Sequence, residues 1–132
     1  MKYERFEQLP VWQAAIELAK RIYGLTHQRE LRGHGSLRDQ IERAAVSISN
    51  NIAEGFERGT TQELLTFLYI ARGSAGEVRS ILCLIESMPH FENLKFEIAC
   101  GRHIAAIARL GGCTPEFQNH RPALSEPEGP QD

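Results

Sequence analysis

Gln40, Arg43, Ser47, Asn50, Glu54 and Arg58 follow one another at steps of three and four residues. In a helix they share a face and set guanidinium, hydroxyl, amide and carboxylate groups in line. Arg72 and Glu77 lie in the next long segment. If the two segments are antiparallel helices about Gly59, residues whose numbers sum to about 118 to 120 lie level. Arg43 then falls beside Glu77, and Ser47 beside Arg72. Two readings are open: Arg43, Asn51, Glu54, Arg72 and Glu77 form a binding site, or they form a satisfied polar network that fixes helix register.

Catalytic chemistry finds little to work with. Ser47 and Ser74 lack an evident histidine partner, because His27, His34, His90 and His120 fall in turns or in the tail. A di-iron bundle needs Glu-x-x-His pairs, and Glu86-Ser87-Met88-Pro89-His90 has the wrong spacing across a proline. Cys100 and His103 share a helix face but offer two ligands where structural zinc takes four. Gly33-His34-Gly35 follows a helix rather than a strand, which excludes a dinucleotide fingerprint. The chain is therefore expected to be non-enzymatic, with no cofactor and no metal. Cys83, Cys100 and Cys113 are widely spaced and read as reduced thiols, two of them as small core residues.

The elements that position these groups are helical. Pro10 suits a first helical turn, and Val11, Ala15, Leu18, Ile22 and Leu25 follow at helical steps, with Trp12, Ile16, Ala19 and Tyr23 widening the apolar face. Gly33 and Gly35 turn the chain, and Ser36 with Asp39 has capping-box spacing. Leu37, Ile41, Ala44, Ile48, Ile52 and Gly55 make the inner stripe of a second helix. Thr60 with Glu63 opens a third that runs to about Met88, ahead of Pro89. Its first half is apolar almost all round, which predicts burial on more than one side. Gly73 and Gly76 are expected to allow close approach of another helix, the alternative being a ligand admitted against the backbone. Phe91, Leu94, Ile98, Ile104, Ile107 and Leu110 mark a fourth helix, which ends at Gly111-Gly112. Strand signals are missing. The expected fold is all-α, an antiparallel up-down four-helix bundle over residues 1–112, followed by a flexible proline-rich acidic tail over 113–132.

With 132 residues, 42% hydrophobic and 24% charged, the chain has the make-up of one soluble domain. No segment approaches the ~18 uninterrupted apolar residues of a membrane span, so a cytoplasmic location without membrane contact is expected. Net charge is −2. The tail holds Glu116, Glu126, Glu128 and Asp132 against Arg121, which leaves the remainder near neutral. Bulk attraction to phosphate is absent. Arg29, Arg32, Arg38 and Arg58 could still build a basic rim when several subunits come together.

Leu9-Pro10-Val11-Trp12, the run from Gln40 through Ile48, Asn51-Ile52-Ala53-Glu54-Gly55, and the run from Phe67 through Ser74 followed by Glu77 together resemble the four-helix-bundle proteins called 23S rRNA intervening sequence proteins. The resemblance covers roughly residues 6–110. Ser49-Asn50 stands where that family commonly has Pro-Ser, which predicts a straighter second helix. The resemblance implies a homo-oligomeric ring, often a pentamer, with the chain itself as partner. It also implies kinship with accessory variability proteins of diversity-generating retroelements, which share the fold and bind nucleic acid and a reverse transcriptase. The leading expectation is a non-enzymatic, self-assembling binding or scaffold module. The alternative is a nucleic-acid-binding accessory protein acting with RNA, DNA or a reverse transcriptase.

Overall fold

Pro10 begins the first long helix in the computed structural model of the chain, which describes residues 3–91. Its missing N–H would have had no helical acceptor at that position. Helix α1 (Pro10–Thr26) buries Val11, Ala15, Leu18, Ile22, Leu25 and Thr26 along one stripe. Trp12 is half-buried, its ring 5.3 Å from that of Phe6 in the preceding single turn of 3-10 helix, Phe6–Gln8.

A second 3-10 turn, Arg29–Leu31, carries the chain across and buries Leu31 completely. Helix α2 (Gly35–Glu57) starts one residue ahead of Ser36. His34 holds the capping position without a side-chain capping bond, so the Ser36–Asp39 spacing is not used as a cap. The His34 ring instead meets the Phe91 ring edge-on at 5.0 Å, tying this turn to a 3-10 turn, Pro89–Phe91, that follows the third helix. Ile41, Ala44, Ala45, Ile48, Ser49, Ile52 and Gly55 are the buried face of α2.

Gly59 turns the chain with φ +83°, in the left-handed region that a Cβ makes costly. Thr60 then caps α3 (Thr61–Ser87): its hydroxyl oxygen accepts from the Glu63 N–H at 3.3 Å and donates to the Glu63 carboxylate at 2.8 Å. The 27 residues of α3 span about 40 Å at ~1.5 Å per residue. The helix stops at the residue before Pro89, where the ring of a following proline disfavours the helical conformation.

Helix α2 packs against both α1 and α3. Thr26 at the end of α1 touches Glu42 near the start of α2, and Gly55 near the end of α2 touches Leu64 near the start of α3, so both pairs run antiparallel. A Cβ placed on Gly55 would stand 2.5 Å from the Phe67 Cβ and 3.3 Å from the Leu64 backbone. Among the described glycines, Gly55 is the one seated in a close helix approach. At Gly73 and Gly76 a Cβ would meet nothing within 4 Å among the described residues, so the approach of another helix or a ligand expected there is not made within them.

One difference concerns α3. Leu64, Leu68 and Ala71 are buried, but Tyr69 is 53% and Ile70 47% exposed, so only one side of its apolar first half is covered. Cys83 is a free, exposed thiol. The described residues are all-α with three α-helices and no strand, and no helix among them is long and apolar enough to cross a membrane. The expected fourth helix beyond Phe91, the tail, Cys100 and Cys113 lie outside the described residues.

A polar cleft along the second helix

Positions 39, 43, 46, 50 and 54 of α2 recur at helical steps on the side opposite its buried stripe. Together with Tyr23 from α1 they open a cleft of about 460 Å³, lined also by Glu42, Ser47 and Asn51. Three of the five residues expected as a network or binding site, Arg43, Asn51 and Glu54, meet here. Arg72 and Glu77 do not line the cleft and are exposed on α3.

Hydrogen bonds fix the cleft's edge toward α3. The half-buried Asn51 donates both amide hydrogens to Ser47, to its carbonyl oxygen at 2.7 Å and to its Oγ at 2.9 Å. The amide must face this way, because its own oxygen would oppose the lone pairs of that carbonyl. Ser47 Oγ lies 3.0 Å from Ser74 Oγ and carries the chain of bonds across to α3.

The antiparallel arrangement is as expected, but its register differs. Ser47 meets Ser74 rather than Arg72; two residues along a helix turn a side chain through about 200°, which leaves Arg72 facing solvent. Val78 is fully buried on α3, and Glu77, one position before it, is exposed. Among the described residues no ion pair joins Arg43 to Glu77.

On the α1 side the cleft wall is anchored by a contact that the sequence reading did not single out. Thr26 is fully buried, and its hydroxyl lies 2.7 Å from Glu42 Oε1 and 3.2 Å from the Tyr23 carbonyl oxygen. A hydroxyl has one proton, and the carboxylate is the stronger acceptor at the shorter distance. The available signal was a threonine one helical turn after Ile22 on the buried stripe, where a lone hydroxyl requires a partner. Glu54, at the other end, holds Arg58 at 3.0 Å.

Arg58 also lies 5.3 Å from the centre of the Phe67 ring, so its cation braces the α2–α3 turn. Arg29 and Arg32 are exposed and Arg38 half-buried around the α1–α2 connection. Arg58 is twenty residues further along α2, about 30 Å at ~1.5 Å per residue. Within one chain the four arginines therefore divide between opposite ends.

Among the described residues three carboxylates, Asp39, Glu42 and Glu54, face the cleft against the guanidinium of Arg43. The arrangement favours a cationic, hydrogen-bond-donating partner and opposes phosphate. Among the described residues its lining holds no histidine, cysteine or lysine, and its one serine is bonded to Asn51 and Ser74. No three His, Cys, Asp or Glu side chains among the described residues are grouped to hold a metal ion.

Comparison with curated proteins and with solved structures gives no significant match. The family model described as 23S rRNA-intervening sequence protein matches residues 7–109, a span that takes in all three helices and the whole cleft. The chain belongs to the 23S rRNA-intervening sequence protein family.

Proposed function

We propose that this protein is a non-enzymatic, cytoplasmic helical scaffold that works as a homo-oligomer, with residues beyond Phe91 completing a four-helix bundle and with ring closure, pentamer-like, as its assembled form. The observation that carries the reading is the outer face of α3. Tyr69, Ile70 and Leu84 are each about half exposed there, and Gly73 and Gly76 have open space around them. A glycine inside a helix costs about 1 kcal/mol relative to alanine, and nothing among the described residues of the same chain offsets that cost. A close-packed neighbouring helix would.

Native mass measurement at micromolar concentration tests the proposal: a particle of several chains is expected, and a stable single chain of 14.9 kDa overturns it. The second reading, a nucleic-acid accessory module, draws on Arg29, Arg32 and Arg38 gathered at one end of the bundle. It requires RNA or DNA binding that weakens steeply between two salt concentrations. Binding that is absent or indifferent to salt removes it.

A further inference from the structure

We infer that the assembly is head-to-tail: the α2 cleft of one copy receives the outer stripe of α3 from a second copy. The inference rests on the self-assembly reading and specifies its contact. From Tyr69 to Leu84 the outermost line of α3 reads Tyr69, Gly73, Gly76, Ser80, Leu84, all exposed and none charged. In a chain that is 24% charged, a solvated helix face would be expected to carry ions.

Arg72 and Arg79 stand seven residues apart on one flank of this stripe, two turns along the same edge. Neither has an ion-pair partner among the described residues. Glu77 lies on the opposite flank, five residues and about 140° around from Arg72. The α2 cleft is the complement. Among the described residues it has carboxylates at Asp39, Glu42 and Glu54, the last paired with Arg58, against one guanidinium at Arg43, with the Asn51 side-chain oxygen free and Val46 lining it beside Tyr23, which is 41% exposed.

The dimensions agree as well. Asp39 to Glu54 and Tyr69 to Leu84 each cover fifteen helical steps, about 22 Å at ~1.5 Å per residue. Cleft and stripe lie on the outward sides of two different helices, so one molecule cannot join its own pair. Each copy offers one of each, and such a heterologous contact propagates until the rotation closes a ring or leaves an open filament.

Charge reversal on each surface separately, followed by mixing, tests the inference. All four positions, Asp39 and Asn50 in the cleft and Arg72 and Arg79 on the stripe, are exposed, so the fold should persist and helical circular dichroism should match the parent. The full-length double variants Asp39→Arg/Asn50→Arg and Arg72→Glu/Arg79→Glu are each expected to raise the concentration needed for assembly by about tenfold or more, as lost charge complementarity weakens association. Mixed in equal amounts, they retain one intact cleft and one intact stripe between them, and the reversed cleft meets the reversed stripe with its charges exchanged, so particles that alternate the two variants are expected to reappear. If both variants assemble like the parent, the contact lies elsewhere and the inference is wrong while self-assembly stands. If mixing restores nothing, the contact is not head-to-tail. A parent that is itself a single chain overturns the inference together with the reading beneath it.

Discussion

Gly55 and Gly73 sit on neighbouring helices in opposite environments, and the contrast separates what holds the chain together from what faces outward. At Gly55 a Cβ would stand 2.5 Å from the Cβ of Phe67, a distance at which the backbones must part. At Gly73 there is nothing within 4 Å. Both are helix-interior glycines with the same propensity penalty. Gly55 regains its loss inside the molecule, through the close seating of Leu64 and Phe67.

The largest effect should come from breaking that seat. Gly55→Ala is expected to lower monomer stability by about 2 kcal/mol, because overpacking a tight contact costs more than the helix propensity of alanine returns. Urea unfolding at a concentration where assembly is constant measures it. A variant as stable as the parent would mean that α2 and α3 are not in closest contact at Gly55.

Thr26→Val comes next. The hydroxyl is fully buried and donates to Glu42 at 2.7 Å, and a hydrogen bond to a charged group contributes about 1.5 to 3 kcal/mol. Valine has nearly the same shape, so the loss isolates the bond, reduced toward about 1 kcal/mol because the half-buried Glu42 can recruit water. Thermal unfolding of Thr26→Val beside Thr26→Ser, which keeps the hydroxyl, distinguishes bonding from packing.

Gly73→Ala should move stability the other way. With open space around the site, alanine is expected to raise monomer stability by about 0.5 to 1 kcal/mol. The same substitution would therefore carry opposite signs at Gly55 and Gly73, and equal signs would break the comparison. Gly73→Trp sharpens it: unfolding of the monomer should be little changed, while the assembled fraction falls.

The helices were legible from sequence because each boundary has a local cause. Pro10, Gly59, the Thr60–Glu63 cap and Pro89 all act within a turn of the residue concerned, and burial follows the spacing of Ile41, Ile48 and Ile52. The polar site was legible only in part. Residues on one helix, Arg43, Asn51 and Glu54, do share the cleft, because helical spacing alone places them together. Partners across helices depend on register, and a shift of two residues exchanged Arg72 for Ser74. Tight against open glycine depends on a third dimension that spacing does not encode: among the described residues the close approach is at Gly55, which spacing had marked only as part of the inner stripe.

The smallest effects are expected where the sequence had suggested a binding site or a satisfied polar network. Arg43 and Glu77 are both exposed and are not paired with each other. Exposed charges without a fixed partner contribute little, and substitution at such positions stays within about 0.5 kcal/mol. Arg43→Ala and Glu77→Ala should each leave monomer unfolding within that margin, and the double variant should equal the sum of the two, since residues that do not interact add independently. A coupling energy above about 1 kcal/mol in this double-mutant cycle would restore the Arg43–Glu77 pair. Additivity would instead leave Arg43 as a cation of the cleft, free to answer a partner's carboxylate.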